Sequence, residues 1–350
     1  MFRTPTSPSS SSPHAPDGDA AIRSTDNDAA LARLSAVQKH YLPDPYIRFF
    51  VPRAHLQPAR PPLINVGTYV RSVAIDALVE SFMGSADGSP VQIVSLGAGS
   101  DTRFWRIAAG EHAGRLAKYI EVDFPENTTK KAMAIKKNKD LAALVGEAKL
   151  VNGGMGLQSA MYHLLPADLR RPPAEALAAL TSDIMSPSLP TLLLFECVLV
   201  YMTPAASSGL IQWFVDRFSA PDAAPLGGIV YEMFGLNDSF GTVMMSNLRV
   251  RNVTLPGAEP YPTVASLPAR FAQHGFQHVG ALTLKDIRQR YVEADELQRI
   301  SQLEMLDEIE ELELVLAHYA ITWGVRTSGA PSPTWAGWSL KRQDQQEDED

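Results

Sequence analysis

Four groups of residues with chemical potential recur at the ends of apolar runs. Gly97-Ala98-Gly99-Ser100-Asp101-Thr102 closes the run VQIVSLGAG (91–99). Glycines at such a point let the backbone turn tightly and approach a ligand closely. Asp123 ends KYIEVDFP (118–125), 24 residues beyond Gly99. A carboxylate at about that spacing can accept from both hydroxyls of a ribose diol. Asp168, followed by Leu169, lies in YHLLPADLR (162–170), and Glu196 interrupts LPTLLLFECVLVYMTP (189–204). A glutamate in an apolar strand is costly to bury without a partner, which marks it as a site candidate. Each also has a structural reading. The Gly-x-Gly can be only a tight turn, Asp123 a helix cap, Asp168 a turn residue, and Glu196 the partner of a structural arginine. Their recurrence at successive run ends favours one shared nucleoside site.

The pattern disfavours a dinucleotide and favours S-adenosylmethionine. The dinucleotide fingerprint takes a third glycine for close helix–strand packing, and that position is Thr102. S-adenosylmethionine needs the same diol carboxylate but no phosphate cradle. Its amino-acid carboxylate needs a cation, for which Arg71 in INVGTYVR (64–71) and Arg33 are candidates.

The elements that must position these residues are legible from pattern. VQIVSLGAG, KYIEVDFP, YHLLPADLR, LPTLLLFECVLVYMTP and GGIVYEMFG (227–235) read as strands of a parallel sheet buried on both faces. Glu126–Leu144 reads as a helix, and Thr203-Pro204 supplies an N-cap and first-turn proline for Ala205–Phe218. Gln273–Leu282 and Ala317–Val325 are expected to pair at one edge. The stretch 296–316, with Leu297, Ile300, Leu303, Leu306, Ile309 and Leu312 at helical spacing, reads as one helix packed on the core. The fold class is therefore α/β, a mostly parallel sheet with helices on both faces, and ligands in such folds bind beyond the carboxyl ends of the strands.

Composition sets the frame. The 350 residues are 45% hydrophobic and 20% charged, with a net charge of −8. That acidic balance is a poor match for a phosphate backbone, so no nucleic-acid partner is expected. No apolar run approaches the ~20 residues of a membrane span, and MFRTPTSPSSSSPHAP lacks the apolar core of a secretory signal. The one cysteine, Cys197, permits no intrachain disulfide and reads as a small core residue. A reducing compartment, the cytoplasm, is the expectation. His274 and His278 are four residues apart, but Gly275-Phe276 between them reads as a turn into a strand, so no metal is expected. Residues 1–24 read as a disordered tail, 25–328 as a single domain, and 329–350 as a mostly flexible acidic tail. Within the domain, 25–88 is expected to form helices closing over the cofactor, and 236–270 a lid or substrate-recognition insertion.

Taken together, several segments resemble one family, the leucine carboxyl methyltransferases, which methylate the C-terminal leucine of the protein phosphatase 2A catalytic subunit. The matching segments are DPYIRFFV (44–51), INVGTYVR, IVSLGAGSDTRFWR (93–106), YIEVDFPE (119–126), LLPADLR (164–170), LPTLLLFECVLVYMTP, YEMFGLNDSFGTVMMSNLR (231–249) and the stretch 296–323, in family order across about residues 26–325. The resemblance implies a Rossmann-like S-adenosylmethionine-dependent methyltransferase fold and a monomer. By position, Arg71 and Arg33 would hold the methionyl carboxylate, and Gly97 and Gly99 would pass beneath the methionyl part. Asp123 would hold the ribose hydroxyls, Asp168 and Leu169 would frame the adenine, Glu196 would hold the ammonium group, and Tyr201 would face the acceptor. Two departures stand out. Arg33 replaces the family's more frequent lysine, keeping charge but not geometry, and Met233 stands where a polar residue is expected.

The chemistry implied is methyl transfer to a carboxylate, leaving S-adenosylhomocysteine. A C-terminal carboxyl with a pKa of about 3.3–3.7 is already ionised at neutral pH, so no general base is required. Arg71 is expected to bridge cofactor and acceptor. Three other readings remain at this point: a carboxyl methyltransferase of a small acid or a modified-tRNA carboxyl, a non-catalytic cofactor-binding module that docks a phosphatase, and a nicotinamide-dependent oxidoreductase.

Overall fold

A computed structural model of the chain describes residues 18–181, 184–329 and 333–342. Nine strands form one sheet: β1 (Val91–Leu96), β2 (Leu116–Asp123), β3 (Lys149–Val151), β4 (Gly156–Gln158), β5 (Tyr162–Pro166), β6 (Thr191–Glu196), β7 (Leu226–Met233), β8 (Gln277–Thr283) and β9 (Tyr319–Arg326). Their spatial order is β3-β4-β5-β2-β1-β6-β7-β9-β8. The five central strands from β5 to β7 are parallel. β9 runs antiparallel between β7 and β8, as the edge pairing of the two late apolar segments requires.

Alternating side chains of each central strand enter opposite layers of core. Leu192 and Leu194 pack with Ile93, Tyr119 and Ile229 on one face, whereas Leu193 and Phe195 pack with Val94, Ile120 and Val230 on the other. Burial on both faces explains why these strands read as unbroken apolar runs. From β1 the chain steps outward to β2 and β5, then returns to β6 on the other side of β1. The resulting switch between β1 and β6 opens a crevice at their carboxyl ends.

Two long helices cover that end: α1 (Gly18–Gln38) and α2 (Pro62–Ser85). Thr203 caps the helix Pro204–Arg217 through a hydrogen bond from the Ala206 amide (3.3 Å).

Several expectations need correction. Residues 18–24 are not tail but the first turns of α1, held by polar contacts described below; residues 1–17 lie outside the described residues. The acidic end is not all flexible either, since Trp335 and Trp338 are buried and flank Phe82 of α2, with ring centroids 4.9 and 5.3 Å away. Trp338 Nε1 donates to the Leu78 carbonyl (3.0 Å). Residues 343–350 lie outside the described residues. The expected helix over 296–316 is two, Ala294–Ser301 and Ile309–Ala317; Leu312 is buried but Ile309 is exposed. The helix expected over 126–144 likewise breaks at Asn138 into Pro125–Lys137 and Lys139–Val145. The β3–β4 hairpin has no counterpart in the sequence reading; its strands are three residues each, too short for alternation to register.

Candidate active site

The carboxyl ends of β1, β2, β5 and β6 open into one cavity of about 380 Å³, roofed by α1 and walled by α2, within the size range of small-molecule sites. All nine residues singled out in the sequence line it: Arg33 and Arg71 from the two helices, Gly97 and Gly99 from the turn after β1, Asp123 after β2, Asp168 and Leu169 after β5, and Glu196 and Tyr201 at and after β6.

The turn after β1 requires its glycines. Gly97 and Gly99 both adopt positive φ, +69° and +44°, a region costly for residues with a Cβ. A Cβ on Gly97 would stand 2.4 Å from Val198 Cγ2, and one on Gly99 2.3 Å from Asp26 Oδ1. Asp26 belongs to α1, and its carboxylate accepts from the Ser100 amide (2.7 Å) and hydroxyl (3.1 Å). The glycine turn is thus clasped from above by α1.

Asp123 is buried and accepts from the Gly99 amide (2.7 Å, Oδ2) and from the Phe124 amide (2.6 Å) and Asn127 Nδ2 (3.0 Å) on Oδ1. Burial raises its pKa above the usual carboxylate value, against the pull of the Gly99 amide. A carboxylate offers about four acceptor positions, so Oδ2 keeps room for a hydroxyl. Beside it, the buried Asn127 Oδ1 has no hydrogen-bond partner among the described residues. An orphan acceptor next to a carboxylate with one acceptor position open, both residues lining the cavity, fits a diol.

Glu196 is gripped by two arginines. Arg71 approaches Oε2 through Nε (2.9 Å) and Nη2 (2.7 Å), and Arg103 Nη1 donates to Oε1 (2.8 Å). Burial pushes its pKa up, but Arg103 and Arg71 outweigh burial and hold it below its usual value. Three of about four acceptor positions are taken, leaving one for a cation or donor in the cavity. Arg103 is only 3% exposed and also contacts Asp101 (2.6 Å) and Asp76 (2.8 Å). Arg106 closes this network on Asp76 (3.1 Å from Nη2). Arg71 sits over the Tyr231 ring, its guanidinium carbon 4.4 Å from the centroid, and Tyr319 stacks on Tyr231 at 5.5 Å.

Asp168 is both a turn residue and a cavity residue. It accepts from the Arg170 amide (3.0 Å) and is paired with the Arg170 side chain (2.9 and 2.7 Å). Arg170 holds the Asp168 carboxyl below its usual pKa. The same guanidinium grips Asp19 of α1 (2.5 and 3.0 Å), a second clasp between helix and strand ends. Burial holds the Tyr201 phenol well above its usual pKa, so it is a neutral hydrogen-bonding group.

Met233 lines the cavity as a buried apolar residue, and the polar group of β7 is Glu232, one position earlier and therefore on the opposite face. Cys197 is half-buried, packs against the core and also lines the cavity. Its φ of +56° turns the chain out of β6, and burial pushes its thiol up to about 12, so it stays protonated. His274 bonds Gln212 (2.8 Å) and Ser208 (3.2 Å) rather than His278. Among the described residues, no group of three or more His, Cys, Asp or Glu could hold a metal, and no helix is long and apolar enough to cross a membrane.

Sequence reasoning missed Asp26 and Asp19, because α1 carries no clear apolar periodicity, and it missed Arg170 and Arg103, although they stand inside LLPADLR and GSDTRFWR. A cavity at the β1/β6 switch of a mostly parallel sheet, with an antiparallel strand (β4 or β9) next to each edge, defines a Rossmann-like methyltransferase fold. A model of the family described as "Leucine carboxyl methyltransferase" matches residues 21–215. The chain is 43% identical over 353 residues to leucine carboxyl methyltransferase 1 of Cryptococcus neoformans, covering 91% of this chain and 97% of that one. It is 36% identical to leucine carboxyl methyltransferase 1 of Schizosaccharomyces pombe, over 86% of this chain and 93% of the relative. It is also similar to solved geranyl diphosphate C-methyltransferase from Streptomyces coelicolor A3(2), at 6% identity and a TM-score of 0.41 over 76% and 83% of the two chains. The chain belongs to the leucine carboxyl methyltransferase family.

Proposed function

We propose that this protein is an S-adenosylmethionine-dependent carboxyl O-methyltransferase that esterifies the C-terminal leucine of the protein phosphatase 2A catalytic subunit, by in-line transfer to an already ionised carboxylate. The observation that carries this reading is the cavity itself, with Asp123 and Asn127 offering acceptors at one part and Glu196 with Arg71 at another. Asp123 and Asn127 Oδ1 would hold the ribose hydroxyls. Arg170, locked to Asp168, would with Leu169 frame the adenine. Glu196 would take the ammonium at its remaining acceptor position, and Arg33 the methionyl carboxylate. When bound, S-adenosylmethionine supplies an electrophilic methyl group on a sulfonium.

The chain's own contribution is orientation and exclusion of water. Arg71 is anchored through two nitrogens on Glu196 and one ring face, so its remaining Nη1 can meet an anion without the side chain moving. This divides the role expected of Arg71: Glu196 and Tyr231 fix it, and its free edge serves the acceptor. Tyr201, kept neutral, can donate to the same carboxylate. Met233, Met244 and Leu248 make an apolar wall on this side, suited to an aliphatic side chain and to stripping water from the nucleophile. Positioning of this kind supplies roughly 7–11 kcal/mol in favourable systems, and a carboxylate with a pKa of about 3.3–3.7 needs no base.

The test is incubation with S-adenosylmethionine and a phosphatase catalytic subunit ending in leucine, followed by mass spectrometry. One base-labile methyl on the terminal residue supports the proposal. Transfer only to a small acid moves the acceptor class, and binding without transfer points to a docking role.

A further inference from the structure

We propose that Asp44 is a positioning residue that fixes the reach of Arg33 into the cavity. The inference rests on the reading of Arg33 as a ligand for the cofactor's carboxylate. Asp44 does not line the cavity; its side chain is fully buried behind it. Its Oδ2 accepts from Arg33 Nε (2.5 Å) and from the Thr102 hydroxyl (2.5 Å), and its Oδ1 from the Tyr46 (3.0 Å) and Ile47 (3.2 Å) amides. All four acceptor positions are used, and the donors come from α1, from the end of the glycine turn, and from the chain that follows Asp44.

Three consequences follow from that geometry. Arg33 is held at two of its nitrogens, since Nη1 also donates to the hydroxyl of Ser72 (3.1 Å), the neighbour of Arg71 on α2. The guanidinium divides its work: Nε and Nη1 anchor it, and Nη2 remains for a ligand. A lysine would have to share the three donors of a single atom between anchors and ligand, whereas the guanidinium spreads these tasks over separate nitrogens. Thr102, where a dinucleotide site would carry glycine, contributes a hydroxyl that ties the turn after β1 to the same carboxylate. Asp44 therefore registers α1, α2 and the glycine turn against one another, and those three elements surround one end of the cavity.

The test is calorimetric titration of S-adenosylhomocysteine, with KM and kcat for methyl transfer, on the full chain and on Arg33→Ala, Asp44→Asn and their combination. Asp44→Asn keeps size and most acceptor geometry but removes the charge facing Arg33. It is expected to raise Kd and the KM for cofactor roughly tenfold, the weight of one charge-assisted hydrogen bond, with kcat at saturating cofactor within about twofold. The double variant is expected to bind no more weakly than Arg33→Ala alone, because the two residues act as one unit. If Asp44→Asn does not fold, Ser72→Ala removes the other hold on Arg33, together with a local hydrogen bond to the Thr68 carbonyl within α2, and is expected to raise Kd about threefold, an effect absent in the Arg33→Ala background. Wild-type affinity in Asp44→Asn beside weakened Arg33→Ala, or effects that multiply in the double variant, would overturn the positioning role. Should Arg33→Ala itself bind like wild type, the assignment of Arg33 to the cofactor fails first, and the role of Asp44 fails with it.

Discussion

Two glutamates near the ends of adjacent parallel strands met different fates. Glu196 on β6 and Glu232 on β7 both interrupt apolar runs, and both pair with arginine. Glu232 is 1% exposed and meets Arg270 twice, at 2.9 and 2.8 Å. Arg270 in turn donates to the Gly257 carbonyl (3.1 Å) and lies 4.2 Å from the centre of the Tyr261 ring. This pair pins the 252–261 segment to the sheet, and neither residue lines the cavity that Glu196 faces. Glu196 instead shares two arginines, keeps an acceptor position open and faces the cavity. A buried carboxylate in an apolar strand is thus no sign of a site by itself; unused acceptor capacity toward open space is what separates the two.

The sharpest way to break that contrast is to remove one partner from each. Arg270→Ala leaves Glu232 buried and uncompensated, and a loss of about 3–5 kcal/mol in unfolding free energy is expected by denaturant titration. The double replacement Glu232→Met with Arg270→Leu should recover much of it. Glu196→Ala should act in the opposite sense, with modest loss of stability but methyl transfer reduced by about 10²–10³-fold, read by initial rates. Equal effects of the two on stability and on rate would erase the distinction.

A third buried titratable group sharpens the comparison, because its ring has no hydrogen-bond partner among the described residues. His163 on β5 is buried, neither ring nitrogen bonds a described residue, and burial lowers its pKa to about 4. The unfolded chain therefore binds a proton near pH 6.5 that the folded chain refuses, so stability falls as pH drops from 6.5 toward 4. The full effect is about 3 kcal/mol. A His163→Phe variant should flatten that part of a stability–pH curve and leave cofactor affinity untouched. The smallest expected effect is at the glycine turn: Gly99→Ala adds about 1–2 kcal/mol of backbone strain and presses on Asp26. Cofactor affinity should drop roughly tenfold, and a titration showing no change would free α1 from any part in binding.

Much of this arrangement was legible because the strands are buried on both faces, so their ends, and the acids placed there, could be counted along the chain. Thr203-Pro204 and the glycine turn announced themselves by local chemistry. What stayed hidden was contact across distance in sequence. Asp26 on Ser100, Asp19 on Arg170 and Asp44 on Thr102 each join segments separated by more than fifty residues, and no local pattern encodes them. The first turns of α1 fall in the expected tail because polar contacts, Asp19 on Arg170 and Asp26 on Ser100, help hold a helix whose sequence carries no clear apolar periodicity. Trp335 and Trp338 were lost in a stretch whose proline, glycine and acids suggested disorder, although two tryptophans can anchor a short segment by area alone.

The claim on which the rest depends is that the cavity between β1 and β6 receives an adenosyl group through Asp123. Calorimetric titration of S-adenosylhomocysteine into the wild-type chain and into Asp123→Ala measures it directly. One binding site per chain, weakened at least tenfold by the substitution while Glu232→Gln binds like wild type, is the expected result. Undiminished binding by a folded Asp123→Ala protein would contradict it.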